Sequence, residues 1–168
     1  MRRAGLTAVT TAALLTGLAG SASAGWHATV GALPKRFHLV ETAPARSKGG
    51  VDEVCYGGPV PKNVDPESDC DSNSLAVFTL RGGATSGTIG SASGSEHQVR
   101  VRGRRARWHW LKDEGSRFAR ELIIRARPGL RVAVVADRGM GLRNLLLVAR
   151  HIRALDGHAW RLLLRQTT

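Results

Sequence analysis

Between Gln98 and Asp137 apolar and basic residues alternate through a series of turn signals, and few folds can accept that pattern. QVRVRGRRARWHWLK (Gln98 to Lys112) alternates on both sides of Gly103. Val99, Val101, Ala106, Trp108 and Trp110 fall on one side, and Arg100, Arg102, Arg105, Arg107 and His109 on the other. A period of two is the signature of a strand, so this stretch predicts a hairpin with one apolar and one basic face. After a turn at Asp113 to Ser116, ARELIIRAR (Ala119 to Arg127) continues it, and Pro128-Gly129 is a tight turn into LRVAVVAD (Leu130 to Asp137). Leu122, Ile124, Ala126, Val132, Val134 and Ala136 then share the core face, while Arg125, Arg127 and Arg131 join the earlier arginines outside.

Two more strands are predicted upstream, in RFHLVETAP (Arg36 to Pro44) and SLAVFTLR (Ser74 to Arg81). Downstream, Leu142, Leu145, Leu146, Ala149 and Ile152 recur at helical spacing with Arg143, Asn144, Arg150 and Arg153 opposite, and the helix is expected to end near Asp156 with Gly157 as its C-cap. HAWRLLLRQ (His158 to Gln166) is expected to be a last strand or extended tail. The fold class expected is α+β: an antiparallel sheet of about five to six strands with one long amphipathic C-terminal helix packed on one face. Residues 97–156 form its core.

The strand, glycine turn and helix of RVAVVADRGMGLRNLLLVARHI (Arg131 to Ile152) present the order of a dinucleotide-binding turn. The third glycine position is Asn144, however, and the preceding strands connect as hairpins where a dinucleotide fold needs parallel βαβ units. The turn is therefore read as the joint that folds the helix back on the sheet. Arg138 and Arg143 beside Gly141 remain a place where an anion could sit.

Residues 1–24, MRRAGLTAVTTAALLTGLAGSASA, have a basic start, an apolar run and an A-S-A ending, as a secretory signal peptide does. Cleavage is expected near Ala24, leaving residues 25–168 as a single secreted domain without a transmembrane anchor. In an oxidising compartment the two cysteines, Cys55 and Cys70, are expected to pair, closing a loop over residues 55–74 and contributing roughly 3 kcal/mol. The run GGATSGTIGSASGS (82–95) is read as a flexible loop within the domain.

Charge is unevenly placed. Gly25 to Leu80 holds five basic and seven acidic residues, a net −2; Arg81 to Thr168 holds 18 basic and six acidic, a net +12. A cationic half draws anionic polymers and acidic lipid head groups. Arginine outnumbers lysine 21 to 4, which is also the codon signature of a GC-rich genome. The interleaved aromatics of RGRRARWHW resemble a nucleic-acid surface, yet alternation turns Trp108 and Trp110 inward where bases cannot stack, so no specific nucleic acid is implied.

Catalytic and metal motifs are weak. Asp65, Glu67, Asp69, Asp71 and Asn73 invite a calcium reading, but each register of the loop pattern fails at its glycine and its final carboxylate. There is no G-x-S-x-G and no H-E-x-x-H, and His27, His38, His97, His109, His151 and His158 are scattered, so neither a metal nor a cofactor is implied.

The run V-x-V-x-G-R (Val99 to Arg104), a strand with Trp108 and Trp110, P-G-x-x-V-x-V-x-A (Pro128 to Ala136) and L-x-x-L-L-x-x-A-x-x-I (Leu142 to Ile152) resembles a module of secreted or membrane-tethered actinobacterial proteins of unknown function. The resemblance covers about a third of the chain and implies an α+β extracytoplasmic fold, without an activity. The expected function is that of a non-catalytic binding protein of the cell envelope. Its anion-binding candidates are Arg100, Arg102, Arg105, Arg107, Arg125, Arg127, Arg138 and Arg143, and its partner an anionic envelope polymer or lipid head groups. Two alternatives stand beside it. One is a secreted hydrolase or transferase whose site is assembled from distant residues, which converging histidines would favour. The other is an envelope-stress or assembly factor that binds lipid or a membrane-protein partner, which an apolar groove between sheet and helix would favour.

Overall fold

The computed structural model describes residues 25–45, 50–58, 74–84 and 91–167. The signal segment, Cys70, the acidic run of the calcium reading and residues 85–90 of the expected Gly/Ser loop lie outside them. In chain order the elements are β1 (His27–Val30), β2 (His38–Ala43), β3 (Val51–Gly57), β4 (Ser74–Arg81), β5 (Ser91–Val101), β6 (Arg104–Asp113), β7 (Ser116–Arg127), β8 (Leu130–Asp137), α1 (Leu142–Arg150), β9 (Ile152–Leu155) and α2 (Gly157–Leu164). Seven strands form one antiparallel sheet in the order β2-β3-β4-β8-β7-β6-β5, and β1 pairs with β9 in a separate two-stranded ribbon.

The turns explain the run of hairpins. Arg102 and Gly103 adopt φ of 51° and 77°, and Glu114 and Gly115 of 45° and 83°, so both two-residue loops have the doubly left-handed backbone that matches the twist of paired strands. Gly129 follows Pro128 at φ 70°, a conformation open to glycine at no steric cost. Strands β4 and β8 lie at the middle of the order with both faces covered. Accordingly SLAVFTLR and LRVAVVAD are apolar almost throughout, and every residue of β4 after Ser74 is buried.

The core divides between the two sheet faces. On one, Val54, Tyr56, Leu75, Val77, Leu122, Ile124, Val132 and Val134 pack with Leu145, Val148 and Ala149 of α1 and with Trp160 of α2. On the other, Ala76, Phe78, Leu80, Leu111, Ala119, Ala133 and Val135 make a second cluster. The core face expected for β7 and β8 is the first of these, and Ala126 packs against it as well.

The expected α+β architecture with one long C-terminal helix is corrected. The chain is mostly sheet, with seven strands plus two, and its helices are short, nine and eight residues. The apolar stripe does run on to Ile152, but the helix stops at Arg150, where His151 turns to φ −99° and ψ 10°. Its carbonyl accepts from Gly31 N–H at 2.7 Å, and Ile152 to Leu155 extend to pair with β1. Four residues of β1 have no other ladder, so the backbone hydrogen bonds of the ribbon prevail over the local helical pattern. Asp156-Gly157, expected as a stop, is a start: the Asp156 carboxylate accepts from His158 and Ala159 N–H at 3.0 and 2.8 Å, which caps α2 in the segment expected to be extended. Strands β1 and β3 arise where none was predicted, and β5 begins within the expected Gly/Ser loop.

Leu145 is fully buried, whereas Leu147 on the same helix is half exposed. Leu145→Ala is expected to cost about 2–5 kcal/mol in chemical denaturation and Leu147→Ala within about 0.5 kcal/mol. Equal losses would place α1 on the sheet by another face.

Candidate functional site

Alternation along β5 to β8 delivers arginines to the sheet face opposite α1. Arg100 pairs with Arg105 across β5 and β6, and Arg125 pairs with Arg131 across β7 and β8. Ala106 pairs with Ile124, which sets the preceding Arg105 level with Arg125. Four arginines on four adjacent strands therefore form a row across the sheet, about 15 Å long at the usual strand spacing. With Arg107, Gln98 and Ile123 they line an open concavity of about 670 Å³.

Opposite neighbours of like charge destabilise a sheet, by on the order of a few tenths to 1 kcal/mol per pair. Little within the described residues offsets this. Among the described residues Glu96 is the one carboxylate lining the concavity, and it bonds Arg107 at 2.9 Å, both side chains half exposed. Arg100 donates to the Gly103 carbonyl at 3.2 Å and Arg131 to the carbonyl of Ala84. Those neutral acceptors fix two of the guanidinium groups without cancelling their charge.

Of the candidates read from sequence, the structure brings together Arg100, Arg105, Arg107 and Arg125, and adds Arg131. Arg102 occupies the left-handed turn position and leaves the face. Arg127 leaves it because the register slips between Arg125 and Arg127: two residues of β7 advance against one of β8, and Arg127 turns toward the Trp26 ring at 6.0 Å. Arg138 and Arg143 are exposed at the start of α1, away from the concavity.

His109, expected on the basic face, is buried, with Nε2 2.8 Å from Glu121 Oε2, close in distance but not aligned as a hydrogen bond. The two tryptophans differ from each other. Trp108 packs at the edge of the core with His97 stacked on it at 4.5 Å, whereas Trp110 lies under the guanidinium groups of Arg120 at 3.9 Å and Arg117 at 5.3 Å. Cation–π contact therefore shields Trp110, outside the core assigned to it from sequence. Cys55 is buried on β3 and has a bonding partner; its expected partner, Cys70, lies outside the described residues.

A buried polar cluster that no local pattern announced joins the ribbon to the sheet. His27 Nδ1 lies 2.7 Å from Asp52 Oδ2, and Arg81 donates to the same oxygen at 2.5 Å and to the Trp26 carbonyl at 3.0 Å. Ala45 N–H reaches the other carboxylate oxygen at 2.8 Å, and Trp160 stacks on the His27 ring at 4.5 Å. A carboxylate only accepts, so His27 Nδ1 carries the proton and the 3.1 Å approach of Arg81 to that atom is a contact of position. Burial holds the His27 pKa below its ordinary value against the pull of Asp52. Burial alone would raise Asp52, but hydrogen bonds from Arg81, Ala45 and His27 outweigh it and leave its carboxyl below the ordinary range.

The histidines do not converge. His27 belongs to Asp52, His109 to Glu121 and His97 to Trp108, and among the described residues no three His, Cys, Asp or Glu side chains gather as a metal site. No helix among them is long and apolar enough to cross a membrane. Comparison with family models, curated proteins and solved structures gives no match.

The buried cluster fixes a pH dependence. The unfolded chain binds a proton at His27 near pH 6.5 and the folded chain only at lower pH, so this contribution is complete above about pH 6.5 and lost as pH falls through the folded value. Asp52 adds a second acid loss below about pH 4, whereas Glu53, raised by burial and by Glu41, acts in the opposite sense at higher pH: its contribution is complete below about pH 4.5 and is lost as pH rises through the folded value. His27→Gln should therefore flatten the stability profile as pH falls below about 6.5 in denaturant titrations, and an unchanged slope there would exclude His27 as its source. Arg81→Met, which leaves Asp52 buried without its cation, is expected to cost about 3–5 kcal/mol at pH 7.

Proposed function

We propose that this protein is an exported, non-catalytic binding protein of the cell envelope whose arginine concavity holds an anionic linear polymer. The observation that carries this reading is the row Arg100, Arg105, Arg125 and Arg131, one cation on each of four neighbouring strands, with the one carboxylate among the described lining residues taken by Arg107. Cations repeated every ~5 Å across a rigid sheet suit a chain of repeated phosphate, sulfate or carboxylate groups better than one small anion. The strands fix the spacing of all four arginines, and backbone carbonyls already hold the guanidinium groups of Arg100 and Arg131, so part of the ordering cost is met before binding. The concavity is open, as a polymer that enters and leaves at its ends requires.

Net charge alone would also retain the protein on an anionic matrix, so the test compares charge-matched variants. Replacing Arg100, Arg105 and Arg125 together by Gln is expected to weaken binding to linear polyphosphate by about tenfold or more, equivalent to about 1.4 kcal/mol, and to lower the salt needed for elution from heparin. Replacing Arg138, Arg143 and Arg150, which carry the same charge on α1 and the turn before it, is expected to change the affinity by less than about threefold. Equal losses from the two triple variants would reduce the attraction to net charge and remove the site.

A further inference from the structure

We propose a second binding site, on the opposite sheet face, for a single-chain anionic amphiphile such as an alkyl carboxylate. A groove of about 220 Å³ opens between the sheet and the layer of α1 and β9. Val101, Ile124 and Val132 line it from the sheet, and Ala149 and Ile152 from the other layer. Trp26 forms one wall, and Arg102, Arg104 and Arg127 bring three guanidinium groups to it. No carboxylate is among its described lining residues.

Volume and charge together define the occupant. Drug-sized ligands fill roughly 300–1,000 Å³, so this space takes one slender chain and excludes a two-chain lipid. A wholly apolar guest would leave three cations around it with no anion among the described lining residues, whereas an anionic head group accepts charge-assisted hydrogen bonds from them. Arg104 is anchored to the carbonyl of Ala126 and Arg127 stands 6.0 Å over the Trp26 ring, so two of the three are already held at the groove. The apolar tail would displace water from the aliphatic floor, a gain that grows with each CH₂ buried.

The site shares no lining residue with the arginine concavity, so the two readings stand or fall separately. Equilibrium dialysis of the purified protein against decanoate, decanol and decyltrimethylammonium, each below its micellar concentration, tests it. Saturable decanoate binding is expected, with decanol weaker by about tenfold or more and decyltrimethylammonium weaker still. Ala154 is exposed and lines the groove, so Ala154→Trp should fill it while keeping the wild-type melting temperature, and decanoate binding should be lost. Arg102→Gln with Arg127→Gln should weaken decanoate by about tenfold and bring it level with decanol. Arg105→Gln with Arg125→Gln should leave decanoate binding unchanged.

The proposal is overturned if decanoate shows no saturable binding, if decanol binds as tightly, if folded Ala154→Trp retains the wild-type affinity, or if the Arg105 and Arg125 variant loses it. The last result would move the anion seat to the concavity and leave the groove as unoccupied packing space. A loss of polyphosphate binding in the concavity variants alongside intact decanoate binding is the expected pattern for two sites.

Discussion

The pairing of β4 with β8 holds the two halves of the chain together. Seven cross-strand pairs, from Leu75 with Ala136 to Arg81 with Leu130, join a three-stranded meander from the N-terminal half to a four-stranded one from the C-terminal half. Between them the chain crosses to the far edge at β5 and returns strand by strand. The pairing is thus closed over a long loop, and its entropy must be offset by burial on both faces of the two central strands. Val77, Val134 and Leu75 on one face and Ala133, Phe78 and Leu80 on the other provide that burial. Contacts so distant in sequence make a slow-folding topology, and they give the arginine face its rigidity: β8, which carries Arg131, is held by β4 on one side and β7 on the other.

The β1–β9 ribbon depends on a different kind of contact. Three of the four residues of β1 are buried, but only Ala28 and Val30 bring apolar side chains to the core, and the rest of the link to the sheet is polar: Ala28 N–H donates to Thr79, Thr29 Oγ1 meets Tyr56 Oη at 2.6 Å, and His27 meets Asp52. A buried ion pair is costly to assemble and costlier to break, so it specifies one position of the ribbon more than it stabilises the fold. Arg81 ends β4 and Asp52 lies on β3, which ties the placement of the ribbon to the register of those two strands. Because the same ribbon interrupts α1 at His151 and forms one side of the groove, this cluster also sets the shape of that site.

Those physical origins explain what could be read from the chain. Strands β6 to β8, their turns and most of the arginine face were legible, since period-two alternation and left-handed turn residues are local signals. Strand β4 was legible as a short apolar run. Strand β3 was not, because VDEVCYG carries Asp52 and Glu53 where a buried strand normally has apolar residues. Asp52 is tolerated there through Ala45 N–H and through His27 and Arg81, 25 and 29 residues away, a partnership no window reveals. The length of α1 was illegible for a related reason: its apolar stripe continues to Ile152, and only the presence of β1 diverts that residue into a strand. Arg102 and Arg127 were assigned to the wrong face because a left-handed φ and a bulge each break the alternation by one residue.

That bulge decides how the positive charge is distributed. With regular pairing to the end of β7, Arg127 would have followed Arg125 onto the concave row, adding a further like charge to a row that already has four. The extra residue at Ala126 instead carries Arg127 to Trp26, so the charge crowded at the β7–β8 turn is shared between the two faces. The exposed edge strand β5 is protected by charge of its own, since Glu96 and Arg100 stand on it beside the free backbone and resist pairing with another chain. Arginine on this sheet thus serves two physical ends. It keeps an edge from aggregating, and where cross-strand register sets four side chains abreast with no acid among the described residues paired to them, it leaves an electrostatic deficit that an anion can fill.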